Sequence, residues 1–250
     1  MSTLTGRAAL VTGGGTGLGA DLARGLAAAG AEVWITGRTA ARLEEVAASA
    51  ARIRPVVADV TDEASVAAMF DRVGVPEIVI ANAGASESAP LARTGLEAWE
   101  RMLSVNLTGV FLTFREAMRR LGKAPDWARL IAVASTAGLK GYPYVSAYSA
   151  AKHGVVGLVR STALELARTG ATANALCPGF LDTEMTERSV ANITEKTGMS
   201  AEDARASLEA MSPQRRLIRP EEVTAAALWL CGPGSEGITG QAIAIAGGEA

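Results

Sequence analysis

Three side chains in the middle of the chain have the types and spacing needed to move a proton. Tyr148 and Lys152 stand four residues apart, and Ser135 precedes the tyrosine by thirteen residues. Residues four apart share one face of a helix. A phenol ionises near pH ~10 in water, and a neighbouring ammonium lowers that pKa, which eases proton transfer in both directions. We therefore expect Tyr148 to exchange a proton with a substrate oxygen that Ser135 orients.

A glycine-rich motif near the N-terminus indicates a second kind of chemistry. Residues 12–19 read TGGGTGLG and follow the apolar run 8–11, which predicts a strand, a tight turn and then a helix. Glycines at Gly13, Gly17 and Gly19 let backbone N–H groups approach a pyrophosphate at the helix N-terminus. An ordinary strand-to-helix connection is the competing interpretation. Together with the tyrosine group, the motif indicates hydride transfer to or from a carbonyl carbon.

The end of the second predicted strand bears on which dinucleotide binds. An acidic residue at this point commonly holds the ribose hydroxyls of NAD. This chain has Thr36, Gly37, Arg38 and Thr39 there, with no acid. A guanidinium at Arg38 can bind a 2′-phosphate through two hydrogen bonds, which favours NADP(H). NAD(H) stays open, because Arg38 is also typical of a solvated residue that opens a helix.

The fold that must position these residues follows from the alternation of short apolar runs with helix-like stretches. Such runs predict a parallel sheet covered on both faces, and right-handed crossovers make it a doubly wound sheet. We predict a single-domain α/β Rossmann fold over residues 1–250, with seven parallel strands in the order 3-2-1-4-5-6-7 and helices on both faces. Ligands of such sheets bind beyond the carboxyl ends of the strands. The glycine loop, Asn82, Ser135 and Pro178 all follow predicted strands and are expected at that edge.

Composition excludes several other classes of protein. The net charge of -2 gives no basic surface for nucleic acid, and no apolar run approaches the ~20 residues that cross a membrane. The N-terminal residues lack a signal-peptide pattern, which favours the cytoplasm. Cys177 and Cys231 are expected to be reduced thiols, and with a single histidine they make no zinc site.

These motifs together resemble the short-chain dehydrogenase/reductase family over nearly the whole chain, from Leu10 to Gly248. The resemblance implies a catalytic tetrad of Asn106, Ser135, Tyr148 and Lys152 and hydride exchange between nicotinamide and a carbonyl or alcohol carbon. Its matching positions are the glycine motif, Asp59, Asn82-Ala83-Gly84, Asn106, Ser135, Tyr148, Lys152 and Pro178-Gly179.

The cofactor-binding residues that we expect from motif and resemblance lie in five short segments and the tetrad. Leu181 and Thr183 match the stretch that contacts the nicotinamide carboxamide. The full set is Gly13, Gly15, Thr16, Gly17, Leu18, Gly19, Arg38, Asp59, Val60, Asn82, Ala83, Gly84, Tyr148, Lys152, Pro178, Gly179, Leu181 and Thr183.

One position departs from the family's pattern. Relatives that prefer NADP often carry a basic residue just before the second glycine of the motif, and here that position is Thr16. The NADP(H) prediction therefore depends on Arg38 and the missing acid. The resemblance further implies a homotetramer built through the two long helices and the last strand.

The expected substrate is a small molecule with a carbonyl or secondary alcohol. Tyr142, Pro143 and Tyr144 are expected to line its pocket, and residues 183–211 to cover it as a lid. This lining suits an apolar ketone or a 3-oxoacyl group. Two alternatives stay open: an NAD-dependent dehydrogenase of a polyol or 3-hydroxy acid, and a nucleotide-sensing protein that performs no chemistry.

Overall fold

The computed structural model describes residues 4–250 and has a seven-stranded parallel sheet at its centre. The strand order is β3-β2-β1-β4-β5-β6-β7, which confirms the predicted order 3-2-1-4-5-6-7. The strands are β1 (Ala8–Thr12), β2 (Glu32–Gly37), β3 (Ile53–Val57), β4 (Ile78–Ala81), β5 (Ala128–Val133), β6 (Ala171–Pro178) and β7 (Ala242–Ile245).

Helices cover both faces of this sheet. They are α1 (Gly17–Ala28), α2 (Ala40–Ala48), α3 (Glu63–Val73), α4 (Leu96–Leu103), α5 (Gly109–Leu121), α6 (Ser146–Leu166), α7 (Glu184–Thr197), α8 (Ala201–Glu209) and α9 (Pro220–Cys231). Two apolar clusters fill the space between the layers. One packs α1 and α9 against β1 and β2, and the other packs α3, α5 and α6 against β4, β5 and β6.

The apolar strands explain why the sheet is buried. Every residue of β4, β5 and β6 is buried, as expected for parallel strands with helices on both faces. The register pairs β1 with β4 and β4 with β5, so their carboxyl ends meet at one edge. The chain crosses from one side of the sheet to the other between β3 and β4, and the site lies at that crossing.

The sequence pattern over residues 96–121 predicts one long helix, but in the structure this helix is interrupted. Residues 104–108 form a single π-helical turn between α4 and α5. Turns of this kind insert one extra residue and often occur at functional sites. No glycine or proline within the turn signals the insertion, so periodicity alone could not predict it. The turn holds Asn106, which is fully buried.

Candidate active site

The glycine-rich loop between β1 and α1 has the backbone shape that its sequence predicts. Gly13 and Gly17 have positive φ angles of 65° and 50°. A Cβ atom on Gly19 would lie 2.1 Å from the carbonyl oxygen of Gly13, and one on Gly13 would lie 2.9 Å from Cα of Ala83. Larger side chains therefore cannot replace these glycines without moving the backbone.

The N-terminus of α1 has the donors that an anion needs. Thr16 occupies the N-cap position but makes no side-chain hydrogen bond there, and the first turn contains no acidic residue. The first N–H groups of a helix lack intrahelical partners, and the helix dipole favours negative charge at this end. The loop and helix end thus fit a pyrophosphate group.

Hydrogen bonds join the end of β1 and the start of the glycine loop to the residues that follow β4. Asn82 donates its amide to the carbonyl oxygens of Thr12 at 2.9 Å and Gly13 at 3.3 Å. The Thr12 hydroxyl accepts from the backbone N–H groups of Asn82 and Ala83, both at 3.0 Å. The sequence analysis did not assign a role to Thr12 itself. A polar residue at the end of a buried strand does indicate a hydrogen bond to the neighbouring strand end.

Arg38 lies exposed at the end of β2, beside Asp59, which follows β3. The Asp59 carboxylate accepts hydrogen bonds from the backbone and hydroxyl of Thr61, and these lower its pKa; the guanidinium of Arg38 contributes further. Within residues 4–250, no carboxylate oxygen lies within ion-pair distance of Arg38. The guanidinium can therefore accept a new anionic partner.

The first turn of α7 packs over the glycine loop. Glu184 forms an ion pair of 2.9 Å with Arg42 at the start of α2. A Cβ atom on Gly17 would lie 3.5 Å from the side chain of Thr183. Residues 183 and 184 thus contact the start of α2 and the glycine loop from the first turn of α7.

The proton-transfer group lies at the same edge of the sheet. Ser135 follows β5, and Tyr148 lies in the first turn of α6. Burial raises the pKa of Tyr148, whereas a hydrogen bond between its hydroxyl and that of Ser135 opposes the increase. The phenol therefore keeps its proton at neutral pH and is suited to donate it.

Lys152 is almost fully buried below the tyrosine. Its ammonium donates to the carbonyl oxygen of Val133 at 2.8 Å and lies 5.6 Å from the centroid of the Tyr148 ring. Burial lowers the pKa of Lys152 to about 8. We expected Lys152 to lower the pKa of Tyr148, and this expectation was wrong for this arrangement. The ammonium points to a backbone carbonyl instead of the phenol oxygen, so burial dominates the pKa of Tyr148.

Asn106 connects the π-helical turn to the loop after β4. Its amide donates to the carbonyl oxygens of Ala85 at 2.9 Å and Met102 at 3.0 Å, and its side-chain oxygen accepts from the N–H of Ala85 at 3.2 Å. A Cβ atom on Gly84 would lie 2.9 Å from that oxygen and 3.8 Å from Nζ of Lys152. Asn106 therefore fixes Gly84 and Ala85 against the lysine.

The remaining predicted residues lie around this centre. Leu18 is buried in α1, and Val60 packs against Gly109 at the start of α5. Pro178 ends β6, and the N–H of Gly179 donates to Ile245 at 3.1 Å. Leu181 pairs with Ile218 through an isolated bridge.

The sequence identified Cys177 as a thiol and Tyr142 as a pocket residue, but it did not predict that Cys177 lies near Tyr148 or that Tyr142 contacts Glu249. Cys177, at the end of β6, is fully buried, and burial raises the pKa of its thiol to about 11. Tyr142 donates a hydrogen bond to the carboxylate of Glu249, which comes from the far C-terminus. No local pattern signals that contact, because 107 residues separate its two partners.

No helix within residues 4–250 has the length and apolarity needed to cross a membrane. No cluster of three or more histidine, cysteine, aspartate or glutamate side chains capable of holding a metal ion occurs among them.

Comparison with known proteins agrees with this geometry. A family model described as enoyl-(acyl carrier protein) reductase matches residues 13–249. A cis-4-hydroxycyclohexanecarboxylate dehydrogenase from Sinomonas cyclohexanicum is 39% identical over 97% of this chain and 96% of its own. A D-beta-hydroxybutyrate dehydrogenase from Cupriavidus necator is 36% identical over 95% of both chains. The crystal structure of an actinorhodin polyketide ketoreductase variant with NADPH has a TM-score of 0.91 and 33% identity, covering 100% of this chain and 99% of the other.

The chain belongs to the short-chain dehydrogenase/reductase family, which confirms the resemblance found in its motifs. It is an NAD(P)-dependent oxidoreductase that acts on a ketone or the corresponding secondary alcohol.

Proposed function

We propose that this protein is an NADP(H)-preferring reductase of 3-oxoacyl compounds or similarly apolar ketones, with Asn106, Ser135, Tyr148 and Lys152 as its active-site tetrad. The observation that carries the proposal is that Ser135, Tyr148 and the buried Lys152 lie together at the sheet edge that also holds the glycine loop. A dinucleotide on that loop supplies a hydride acceptor or donor. Side chains of the protein orient the substrate and transfer the proton.

In the reductive direction, Tyr148 donates its proton to the carbonyl oxygen as the alcohol forms. Ser135 holds that oxygen within hydrogen-bond reach of the phenol. As the phenolate forms, its negative charge draws the Lys152 ammonium from the carbonyl oxygen of Val133 toward the phenol oxygen, because opposite charges attract strongly in a buried site. Asn106 acts as a positioning residue through Gly84 and Ala85. The raised pKa of Tyr148 supports this direction, since a protonated phenol is the required acid.

Three observations support the cofactor-binding part of the proposal. The uncapped N-terminus of α1 and the positive-φ glycines suit the pyrophosphate, for which we propose Gly13, Gly15, Thr16, Gly17, Leu18 and Gly19. Arg38 is free to bind the 2′-phosphate beside Asp59 and Val60. For the nicotinamide half, we propose Asn82, Ala83, Gly84, Tyr148, Lys152, Pro178, Gly179, Leu181 and Thr183.

We expect Arg38→Gln to weaken NADPH binding about 10- to 100-fold, because a hydrogen bond to a charged group contributes roughly 1.5–3 kcal/mol. Fluorescence titration of the purified variant measures this, and NADH affinity should stay unchanged. Arg42→Gln is the matched control, since Arg42 is a nearby arginine already paired with Glu184. Equal loss for NADH and NADPH in Arg38→Gln would assign the arginine a structural role and disprove the proposed phosphate contact.

A direct assay tests the proposed substrate class. The purified protein is incubated with NADPH and either a 3-oxoacyl thioester or ester, and cofactor oxidation is followed by absorbance. The second candidate function, an NAD-dependent 3-hydroxy acid or polyol dehydrogenase, draws support from the two dehydrogenase relatives and from Thr16. Faster oxidation of a hydroxy acid with NAD than reduction of any 3-oxo ester with NADPH would select that second function.

We further propose that residues 183–211, which contain α7 and α8, act as a lid in a single domain spanning 1–250. The exposed Arg42–Glu184 pair supports this role, because an ion pair at the surface contributes only about 0–1 kcal/mol and can open readily. Cofactor binding should slow hydrogen exchange in α7. Unchanged exchange there would contradict the lid assignment.

The proposed assembly is a cytoplasmic homotetramer. Large apolar side chains are exposed on the two long helices and on α9: Phe111 on α5, Leu164 on α6 and Trp229 on α9. Covering exposed apolar side chains with another copy of the chain is favourable, which supports contacts through these helices. Light scattering should give the mass of four chains, and a monomer across all concentrations would rule out this assembly.

A further inference from the structure

One charged group lies beside residues 139–145, the loop before α6 that we call the substrate loop, and the tetrad does not explain its role. The Glu249 side chain is only 2% exposed, although it belongs to the second-last residue of the chain. Its carboxylate accepts a hydrogen bond from the Tyr142 hydroxyl and lies 3.4 Å from Nζ of Lys140. Lys140 also donates to the backbone oxygen of Glu249 at 2.9 Å. A buried charge of this kind requires partners, and Lys140 and Tyr142 supply them.

This cluster lies next to the reacting groups. The Tyr142 hydroxyl is hydrogen-bonded to that of Thr136 at 2.7 Å, and Thr136 directly follows Ser135. Tyr142 also interacts electrostatically with Tyr148. On the opposite side, a Cβ atom on Gly179 would lie 3.1 Å from the Glu249 carboxylate. The Glu249 side chain therefore lies between the substrate loop and the segment after β6. We call Glu249 and its contacts with Lys140 and Tyr142 the wall of the site.

The pairing determines the charge of that wall. Lys140 is the only charged residue between Ser135 and Tyr148. Several charged groups from the surrounding elements form ion pairs of their own: Glu87 with Arg101, Asp182 with Arg205, and Arg216 with Glu222. A carboxylate substrate needs an available cation near this loop, and Glu249 occupies Lys140. An uncharged ester, thioester or ketone needs none.

We propose that Glu249 determines the substrate charge that the enzyme accepts. By neutralising Lys140, it directs the active site toward carbonyl compounds that are uncharged near this wall and against free oxo acids. The inference rests on the proposed function, since it concerns the same site.

The test compares acetoacetate with ethyl acetoacetate, which present the same ketone with and without a carboxylate. kcat and KM are measured with saturating cofactor for the natural protein and for Glu249→Gln, Lys140→Met and the double variant. Glutamine keeps the shape of the side chain and a hydrogen-bond acceptor for Tyr142 but removes its charge. Cofactor affinity, measured by fluorescence titration, should be the same in all four proteins.

We expect the natural protein to prefer the ester. Glu249→Gln should raise kcat/KM for acetoacetate about tenfold, mainly through KM, which corresponds to roughly 1.4 kcal/mol. The double variant should lose that gain, because the freed ammonium of Lys140 is then absent, and Lys140→Met alone should keep the ester preference. An unchanged acid-to-ester ratio in Glu249→Gln, or the same gain in the double variant, would overturn the inference.

A binding measurement distinguishes a failure of the proposed function from a failure of the inference about Glu249. If none of the four proteins reduces either ketone, the proposed function has failed for these compounds. Calorimetric titration of the cofactor-bound proteins with acetoacetate then decides the role of Glu249. Tighter binding by Glu249→Gln than by the natural protein, reversed in the double variant, supports the inference. Equal binding by all four contradicts it.

Discussion

Replacing Tyr148 with phenylalanine is expected to lower kcat by about 10²–10⁴-fold, the range typical of a lost general acid. The substitution removes only the hydroxyl that shares a hydrogen bond with Ser135 and leaves the ring in place above Lys152. Steady-state reduction of ethyl acetoacetate measures the loss. Because the cofactor seat is built from the glycine loop and strand ends, fluorescence titration should give an unchanged cofactor Kd.

Tyr142→Phe is the matched control for this experiment. This substitution also removes one phenol hydroxyl, from the loop just before α6, but that hydroxyl bonds to Thr136 and Glu249. Tyr142→Phe should reduce kcat far less than Tyr148→Phe does. Turnover by Tyr148→Phe at the natural rate would refute the assignment of Tyr148 as the proton donor.

Gly19→Ala should abolish measurable dinucleotide binding. The added Cβ would lie 2.1 Å from the carbonyl oxygen of Gly13 and 2.6 Å from the amide nitrogen of Asn82, so the loop or the end of β4 must move. We expect at least a roughly 100-fold weaker Kd and a free energy of unfolding lower by about 1–3 kcal/mol, as for other overpacked sites. Fluorescence titration and chemical denaturation measure the two effects.

Gly15→Ala provides the control within the same loop. A Cβ atom there would meet its nearest neighbours, on Arg42 and Leu43, at 3.4 Å, which is ordinary contact. The Gly15 variant should therefore lower the free energy of unfolding much less than Gly19→Ala does. If both variants bound the dinucleotide as well as the natural protein, this loop could not be the pyrophosphate seat.

The sequence was sufficient to predict the sheet because its signals are local and repeated. Apolar strands such as Ile78–Ala81, each followed by a helix-like stretch, define both the parallel sheet and its order. The positions of the glycine loop and of Ser135 follow from the same rule, since parallel strands end at one edge. The spacing of Tyr148 and Lys152 similarly places both on one face of α6.

What the sequence could not predict depends on burial and on contacts between distant residues. The pKa of Tyr148 is set by how deeply the phenol is buried and by where the Lys152 ammonium points, and neither is encoded by their spacing. The Glu249–Tyr142 contact joins two residues that no shared motif connects. The π-helical turn at Asn106 likewise arises from packing against the loop after β4.

The most direct test of the central claim follows the hydride itself. The purified protein is incubated with ethyl acetoacetate and NADPH that carries deuterium at the transferred position of the nicotinamide, and the alcohol is analysed by mass spectrometry. We predict one deuterium on the alcohol carbon for the natural protein and no labelled alcohol above background for Tyr148→Phe. Unlabelled alcohol, or labelled alcohol formed equally by both proteins, would contradict hydride transfer at this site.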